Sequence, residues 1–382
     1  MNLEFWISLI VSLTALLVFA ELAVGMSKFL YLRDIKPATG INPPRLSIIV
    51  SALNEASTIE PAMRSMLALT YPNLEIIAIN DRSTDATGAI LERLSQENSA
   101  LRVLHIDQLP AGWLGKNHAL HEGAKLASGD FLLFTDADVM FDPTALNRAV
   151  SRAHEQALDH LVVIAEFIVK DKLLAALLLN GYISMYLSLK PWKARSSPKH
   201  YMGMGAFNLV RTCAYRKVGG HERLALEVVD DIMIGKLIKT SGFTQEVLQG
   251  TGMVAVEWYR NAWDMVKGLE KNSYAMFDYQ PLKLILLTGL VLLARYWPWI
   301  GLFTATGVAW WLCVASLALS LATFIVVLRY TAWSRWCLMY WPVSGIISLA
   351  TIWRAVILTI IRGGINWRGT QYSLAELRRG HH

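Results

Sequence analysis

The stretch FLLFTDADVM, residues 131–140, begins as an apolar strand and ends in two carboxylates, Asp136 and Asp138. Carboxylates are costly to bury without a partner, so a strand that stops on two of them usually stops at a cation, a cluster of donors or water. Acidic residues at strand ends are also ordinary turn chemistry. The pair alone therefore does not distinguish a binding site from an ordinary turn. The segments that precede it in the chain help to separate these two interpretations.

Strand-like and helix-like segments alternate through the middle of the chain. Short apolar runs predict strands at residues 46–51, 74–79, 101–106 and 130–135, and helices are predicted after Ser57 and over residues 116–127. This alternation is typical of an α/β domain with a mainly parallel central sheet.

Acidic residues follow three of these four strands: Glu55, Asp81, and Asp136 with Asp138. In an open α/β sheet, ligands bind in the crevice at the carboxyl ends of the strands, where these side chains should converge. Independent turn or cap residues would explain any one of them. A shared binding site explains all of them together.

The sequence lacks the common phosphate-binding loops. No G-x-G-x-x-G follows the first strand, and no Walker A sequence occurs. A bound diphosphate would then need a metal ion held by carboxylates, and Asp136 and Asp138 offer the hard oxygen ligands that favour Mg²⁺ or Mn²⁺. No His or Cys pair has the spacing of a zinc site.

The composition indicates a membrane protein. The 382 residues are 54% hydrophobic and 17% charged, and the mean hydropathy of +0.36 is too high for an ordinary soluble domain. Residues 5–20 are uncharged and can be extended to residue 25, which is long enough to span a bilayer. A cleaved signal peptide is the alternative, but Glu4 stands where its basic segment should be. We expect residues 1–27 to be a retained transmembrane anchor.

Lys28, Arg33 and Lys36 follow the anchor, and such an excess of positive charge lies on the cytoplasmic side of the membrane. Residues 28–280 are therefore expected to form a cytoplasmic domain of a multi-pass protein in the cell (inner or plasma) membrane. The three scattered cysteines fit a reducing compartment. The net charge of +6 comes without a basic helix or an RNA-binding motif, so no nucleic-acid partner is expected.

The last third of the chain repeats the membrane signal. Residues 281–361 fit two or three spans, with the aromatic-rich segments 295–299 and 329–336 as interfacial loops. Three spans would place the basic tail, residues 362–382, outside the cell, whereas its charge favours the inside. Either one segment is re-entrant or interfacial, or the number of spans is two. The basic residues of this tail include Arg362, Arg368, Arg378 and Arg379.

Residues 171–190 are too apolar for a surface helix of a soluble enzyme. With Trp192, Lys193 and Arg195 alongside, the segment predicts a helix that lies in the membrane interface. A buried helix of the catalytic domain is an equal alternative.

Several motifs, in order and at matching spacing over about two hundred residues, resemble the inverting family 2 glycosyltransferases of the GT-A fold. A Q-x-x-R-W motif of processive synthases is absent, and the tail W-R-G-T-Q-Y at residues 367–372 is similar to the membrane-bound subgroup that contains carotenoid (diaponeurosporenoate-type) and hopanoid-associated glycosyltransferases. The motifs are N-E at 54–55, N-D-R-S-T-D at 80–85, G-K-N-H-A-L at 115–120, A-S-G-D at 127–130, D-A-D at 136–138, G-A-F-N-L-V-R at 205–211, Y-R-K-V-G-G-H-E at 215–222 and V-D-D at 229–231.

The resemblance implies a role for each matching residue. Glu55 and Asp81 would hold the base and ribose of a nucleotide-sugar, and Lys116 with Asn117 would assist the nucleotide. Asp136 and Asp138 would hold the divalent cation. Asp230 and Asp231 stand where the family has Glu-Asp, and Asp231 would be the general base, although Asp at 230 leaves the choice between the two neighbours open. A helix N-cap is the alternative role for this pair.

Four further residues are candidates for the acceptor or diphosphate pocket: Trp113, His221, Arg260 and Trp263. Trp faces suit sugar rings and Arg suits phosphate. Packing is an equal alternative for the two tryptophans, and His221 after Gly219-Gly220 could be a satisfied turn residue.

The expected protein is thus a membrane glycosyltransferase that moves one sugar from a nucleotide-sugar, expected to be a UDP-hexose, to a lipid acceptor by an inverting, metal-dependent displacement. A processive polysaccharide synthase is one alternative. An inactive membrane binding or scaffold protein with the same fold is another.

Overall fold

A computed structural model of the protein describes residues 2–37, 43–367 and 370–380, so Arg368 of the predicted basic tail lies outside the described residues. The strands are β1 Leu46–Ala52, β2 Leu74–Asp81, β3 Leu101–Ile106, β4 Phe131–Asp136, β5 Met140–Phe141, β6 His160–Ile164, β7 Glu166–Phe167, β8 Asn208–Arg211, β9 Gln245–Gln249, β10 Val254–Val256, β11 Gly364–Trp367 and β12 Thr370–Ser373. The helices are α1 Leu3–Met26, α2 Ile59–Leu67, α3 Thr87–Glu97, α4 Gly115–Leu126, α5 Ala145–Glu155, α6 Lys172–Leu189, α7 Thr212–Lys217, α8 Asp230–Thr240, α9 Ala262–Gly268, α10 Glu270–Ser273, α11 Pro281–Thr304, α12 Gly307–Leu328, α13 Trp341–Ile361 and α14 Leu374–Gly380.

The main sheet has seven strands in the order β3-β2-β1-β4-β8-β6-β9. Its first four strands are parallel, β8 runs antiparallel to both of its neighbours, and β9 is parallel to β6. β1 is buried at all of its positions, as expected for a strand covered on both faces. The predicted α/β class with a mainly parallel sheet is confirmed, and the four predicted strands begin and end within two residues of the observed ones.

The hydrophobic core lies between this sheet and two helices, α4 and α8. The sheet contributes apolar side chains such as Ile49, Ile77 and Leu132, and the helices contribute others such as Leu120 and Ile234. Because α4 and α8 are fixed by this apolar packing, the polar residues at their N-terminal ends have defined positions.

The chain forms two compact units. The sheet unit combines residues 29–168, 191–258 and the chain from residue 364 on. The membrane-helix unit combines the chain up to Lys28 with residues 169–190 and 259–363. Within the described residues, five helices of the membrane-helix unit are long and apolar enough to cross a membrane: α1, α6, α11, α12 and α13. The short helix Pro191–Lys193 extends α6 at its C-terminal end, and the short helix Arg335–Tyr340 extends α13 at its N-terminal end.

The prediction of an interfacial loop at residues 295–299 is wrong, because this segment lies inside α11. Arg295 can stay in the helix since its guanidinium is bonded within the membrane-helix unit. It donates to Asn180 Oδ1 of α6 at 2.7 Å and to the Trp341 carbonyl of α13 at 3.0 Å. Hydrogen bonds to a buried cation offset much of its desolvation cost. The charge therefore does not end the helix here.

Candidate active site

The acidic residues predicted at the strand ends lie along one edge of the main sheet, beside the first turns of α4 and α8. Asp81 is the last residue of β2, and Asp136 is the last residue of β4. Asp230 and Asp231 begin α8. A cavity of about 250 Å³, part of it open solvent, is lined here by Lys116, Asp136, Gly205, His221, Asp230 and Asp231, among others. We call these six residues the acidic centre.

Lys116 occupies the middle of the acidic centre. Its ammonium lies 2.8 Å from Asp136 Oδ1 and 3.7 Å from Asp230 Oδ1, and only 13% of the side chain is exposed. Burial lowers the pKa of Lys116, but the charges of Asp136, Asp230 and Asp231 more than offset it and raise the pKa above its usual value. Lys116 is therefore a fixed positive charge that holds two carboxylates from different elements together.

The two neighbouring aspartates of α8 have different environments. Asp230 is 5% exposed and its carboxylate faces Lys116 and, at 3.9 Å, His221 Nε2. Asp231 is partly exposed, and each of its oxygens accepts one backbone hydrogen bond, from Gly205 at 2.8 Å and from Ile232 at 2.9 Å. Asp231 is thus the more accessible carboxylate, and it is held in one orientation.

Gly205 connects the two carboxylates that come from β4 and α8. Its N–H donates to Asp231, and a Cβ at this position would lie 2.6 Å from Asp136 Oδ2. A side chain does not fit there without displacing Asp136. The preceding backbone is equally close to α8, because a Cβ on Gly203 would lie 1.6 Å from the Asp231 carbonyl oxygen. The residue type at 205 is therefore part of the geometry of the site.

His221 lies behind Asp230 and is 1% exposed. Its Nδ1 is 2.9 Å from the Tyr215 hydroxyl, and the same hydroxyl accepts the His221 backbone N–H at 3.1 Å. Burial lowers the pKa of His221 to about 3, with the Lys116 charge as a smaller cause. The imidazole is therefore neutral, and a Tyr215 O–H that donates to Nδ1 leaves Nε2–H facing Asp230. His221 lines the wall of the cavity as predicted for a pocket residue, but its contacts are with protein groups.

Asp136 and Asp138 fit a divalent cation in charge and in ligand type. Burial raises the pKa of Asp138 to about 7, and the negative charges of Asp136 and Glu55 add to the effect. Such a concentration of negative charge favours a bound cation. Within the described part of the chain, no three carboxylate, imidazole or thiol groups converge as a ligand set. Two carboxylates are sufficient for Mg²⁺ or Mn²⁺, because such ions take further ligands from phosphate and water.

Glu55 and Asp81, predicted to hold the nucleoside, differ in accessibility. Glu55 is partly exposed, and its side chain accepts a hydrogen bond from Thr58 at 3.0 Å. Asp81 is fully buried, and the guanidinium of Arg82 binds both of its oxygens, at 2.7 and 3.0 Å. In this structure Arg82, with 20% of its side chain exposed, covers the carboxylate that was expected to contact the ligand.

The expectation that the Asn117 side chain assists the nucleotide does not agree with its position. Asn117 is fully buried, and its amide donates to the Leu224 and Glu227 carbonyls. These bonds tie α4 to the loop that leads into α8. Asn117 therefore stabilises the loop that precedes Asp230 and Asp231, and it does not line the cavity.

The three remaining candidates for the acceptor or diphosphate pocket do not belong to one compact unit. Trp113 belongs to the sheet unit and lies against the rings of His118 and His121, with centroids 5.5 and 4.9 Å away. Arg260 and Trp263 belong to the membrane-helix unit, where both are exposed. Their contribution to an acceptor pocket stays a prediction.

Sequence reasoning did not identify Tyr215 or the importance of the Gly205 backbone as parts of this site. Both lie within motifs that carried the family resemblance, at 205–211 and 215–222. The signal was therefore available, but only the fold shows that Gly205 touches two carboxylates and that Tyr215 fixes the neutral form of His221.

Comparison with known proteins identifies the family of the domain that carries this site. Residues 47–218 match the model of the family described as "Glycosyl transferase family 2". The chain is 31% identical over 129 residues to "Poly-beta-1,6-N-acetyl-D-glucosamine synthase" of Staphylococcus aureus (strain COL), which covers 32% of this chain and 30% of the relative. It is also 35% identical over 97 residues to "Probable glycosyltransferase YdaM" of Bacillus subtilis (strain 168). This alignment covers 25% of this chain and 23% of the relative. The matches thus span less than a third of these relatives' lengths.

A solved structure with a similar fold is the mannosyltransferase PcManGT from Pyrobaculum calidifontis. The TM-score is 0.58 at 17% sequence identity, and the alignment covers 94% of this chain and 99% of the other. This likeness establishes the fold and no more. Residues 47–218 are therefore a glycosyl transferase family 2 domain, and the chain has the GT-A fold.

Proposed function

We propose that the protein transfers a single sugar from a nucleotide-sugar, a UDP-hexose, to a lipid acceptor with inversion at the anomeric carbon. The observation that carries the proposal is the acidic centre. It places an oriented and accessible carboxylate, Asp231, beside a fixed cation, Lys116, at the ligand-binding edge of a family 2 domain.

Asp231 is the proposed general base. An acceptor hydroxyl is a poor nucleophile at neutral pH, so a carboxylate must take its proton while the anomeric carbon is attacked. The backbone bonds from Gly205 and Ile232 leave Asp231 with free lone pairs and fix its direction. Asp230 is buried against Lys116 and His221, which suits a positioning role.

The donor end of the site is proposed to use Glu55, Asp136 and Asp138. The last two would hold a Mg²⁺ or Mn²⁺ ion, which would supply charge stabilisation for the departing nucleoside diphosphate. The neighbour from Pyrobaculum calidifontis was solved with GDP-Man and Mn²⁺, which supports a nucleotide-sugar donor and a divalent cation here. Lys116 would keep Asp136 oriented before the donor binds.

The membrane arrangement that we propose has an anchor at residues 1–27, a cytoplasmic domain at 28–280 and further spans within 281–361. Topology supports an interfacial position for α6. This helix lies in the chain between β7 and β8, and β8 pairs with both β4 and β6. If α6 crossed the bilayer once, β8 would lie on the opposite side from the strands that it pairs with. An apolar helix that cannot cross is expected to lie in the interface, near the acceptor lipid.

The experiment is an assay of nucleoside diphosphate release by detergent-solubilised protein. A panel of UDP- and GDP-sugars is supplied with Mn²⁺ or Mg²⁺, with and without bacterial lipid extract, and Asp138→Ala and Asp231→Ala serve as site variants. We expect release that requires both metal and lipid and that is lost in both variants. Release that is unaffected by Asp231→Ala would overturn the assignment of the base.

A second candidate is a polysaccharide synthase, which is favoured by the similarity to the Staphylococcus aureus synthase. The missing Q-x-x-R-W motif argues against it. Product sizing separates the two functions, because a processive enzyme gives a ladder of products and the proposed enzyme gives a single addition to each lipid.

A further inference from the structure

The end of the chain returns to the sheet unit after the last long helix. Residues 364–367 and 370–373 form the antiparallel hairpin β11-β12, which belongs to the same compact unit as the main sheet. Ile365, Trp367 and Tyr372 of this hairpin are 4%, 8% and 6% exposed. A two-stranded hairpin is marginally stable alone, so burial of three large side chains indicates that it is packed in place.

Tyr372 brings the hairpin to the first turn of α4. Its hydroxyl lies against the backbone N–H of Gly115, and the hydroxyl of Thr370, two residues earlier on the same face of β12, also points at it. Arg82 and Asp81 are close enough to this hydroxyl for their charges to act on its pKa, which Arg82 lowers and Asp81 raises. The tyrosine therefore lies near Asp81, which ends β2, and near Arg82, which follows it.

Gly115 shows how closely these groups are packed. A Cβ added there would lie 2.3 Å from Arg82 Nη2 and 2.7 Å from Asp81 Oδ2. Arg82 is held in this position by its left-handed backbone, with φ of 58°, and by its bonds to both oxygens of Asp81. Asp81 is fully buried behind Arg82, and Tyr372 is nearly buried beside it, so at the end of β2 the group that can face a ligand is the 20% exposed guanidinium of Arg82.

We propose that the guanidinium of Arg82 contacts the nucleoside at the donor site, that Asp81 anchors Arg82 from behind, and that Tyr372 of the hairpin supports this arrangement from the side. The inference rests on the proposed nucleotide-sugar donor. A planar guanidinium stacks on a base, and its N–H groups bond ribose and base oxygens. The ligand class is the nucleoside moiety of a nucleoside diphosphate sugar.

The alternative is that Asp81 contacts the nucleoside directly after Arg82 swings away. The two arrangements predict opposite effects of removing Arg82. If Arg82 is the contact, its loss weakens nucleotide binding, and loss of Asp81 acts only through it. If Asp81 is the contact, loss of Arg82 uncovers the carboxylate and leaves binding unchanged or tighter.

The test measures the dissociation constants of UDP and GDP for the full-length protein in detergent with Mn²⁺. The variants are Arg82→Ala, Asp81→Asn, the double variant of these two, Tyr372→Phe and Tyr372→Ala. We expect Arg82→Ala to weaken binding of the preferred nucleotide about tenfold, the effect of one charge-assisted bond. Tyr372→Ala should weaken binding by a similar factor, because Arg82 loses the ring that packs beside it. Tyr372→Phe should lose about threefold because the ring remains.

The double variant supplies the decisive comparison. If Asp81 acts through Arg82, the double variant binds no more than about twofold more weakly than Arg82→Ala alone, because the effects of coupled residues are not additive. The proposal would be overturned if the losses of nucleotide affinity in the two single variants added up fully in the double variant. It would also be overturned if Arg82→Ala bound nucleotide like the wild type while Asp81→Asn bound it more weakly. Unchanged binding by Tyr372→Ala would overturn it as well.

Two matched controls test whether any loss is merely structural. Arg93→Ala removes another arginine of the sheet unit, which pairs with Glu60 and Glu97. Tyr71→Phe removes a buried hydroxyl that bonds the Pro44 carbonyl at 2.6 Å. Both should bind nucleotide as the wild type does. A wild type that binds neither UDP nor GDP would overturn the proposed function and this inference together, whereas binding that is insensitive to Arg82 and Tyr372 overturns the inference alone.

Discussion

Lys116 is the residue on which the acidic centre depends, because three carboxylates surround one ammonium. We predict that Lys116→Gln lowers kcat/KM for sugar transfer about a hundredfold, since loss of one preorganised charge from a site has effects of this size. Initial rates of nucleoside diphosphate release measure it. Lys125→Gln is the matched control on the same helix, where Lys125 is exposed and pairs with Glu122 at 2.8 Å. Equal losses in both variants would contradict the assigned role.

His160 is a buried histidine whose protonation should affect the stability of the folded protein. It is 1% exposed, is bonded to Asn208 and Gln245 at 3.1 and 2.7 Å, and burial lowers its pKa to about 4. Below pH 6.5 the unfolded chain takes up the proton that the folded protein excludes. The folded state therefore loses stability as the pH falls from 6.5 towards 4, by about 3 kcal/mol in total.

The measurement for His160 is the midpoint of thermal unfolding between pH 7.5 and 5. His160→Gln should flatten the fall of this midpoint with decreasing pH, although it lowers the midpoint at pH 7.5. His154→Gln, at an exposed position in the last turn of α5, should keep the slope of the wild type. A slope that does not change in His160→Gln would show that other groups cause the acid sensitivity.

At the scale of single residues, the sequence predicted which carboxylates come together but not what each one contacts. Asp136, Asp230 and Asp231 do lie at one edge of the sheet, because strand ends and motif spacing determine that edge. The partners of Asp81 and Asn117 were not predictable. One depends on the left-handed backbone of Arg82, and the other on a loop more than one hundred residues away.

At the scale of elements, the contact between α8 and the loop at residues 202–206 determines where Asp231 points. Gly235 of α8 faces this loop, and a Cβ there would lie 2.0 Å from the Met202 carbonyl oxygen. Gly235→Ala should therefore move the loop, weaken the Gly205 bond to Asp231, and destabilise the protein by about 1–3 kcal/mol. Activity should fall more than the loss of folded protein explains.

The control for Gly235→Ala is Gly181→Ala, at a helical position in α6 where a Cβ meets nothing within 4 Å. It should leave the protein equally stable or more stable, because alanine favours a helix over glycine by about 1 kcal/mol. Thermal unfolding and sugar transfer are measured on both variants. A Gly235→Ala protein with normal stability and activity would show that the loop does not orient the base.

Elements with a regular pattern were predictable, whereas elements that depend on distant partners were not. The strands at 46–51 and 101–106 were found at their observed places, since short apolar runs between turn residues specify them locally. The residues at 295–299 look like an interfacial loop because of their charge and aromatic rings, but partners on other helices keep them helical. The packing of the hairpin β11-β12 in the sheet unit also had no local signal.

At the scale of the whole molecule, chain connectivity restricts the number of membrane spans. The main sheet and the hairpin β11-β12 belong to one compact unit. In the proposed membrane arrangement, this unit lies on one side of the bilayer. The helices α11, α12 and α13 connect them in the chain. Because each crossing changes sides, an even number of crossings would separate residue 258 from residue 364, the two ends of the sheet unit that flank these helices. We therefore propose that two of these three helices cross and that the basic tail is cytoplasmic, as its charge favours.

Cysteine labelling tests this topology. Cys213 is the exposed one of the three cysteines and lies in the sheet unit, whereas Cys313 and Cys337 are buried. A membrane-impermeant maleimide should label Cys213 only after spheroplasts are permeabilised. Ser373→Cys, at an exposed position at the end of β12, should behave in the same way in a Cys213→Ser background.

Asn2→Cys provides the opposite control, because a single crossing by α1 places the N-terminus outside when the sheet unit is inside. It should be labelled in intact spheroplasts, again in the Cys213→Ser background. Labelling of Ser373→Cys in intact spheroplasts, with Cys213 of the wild type still protected, would place the tail on the outer side and require three crossings. The hairpin could then not pack with the sheet, and Tyr372 could not contribute to the donor site.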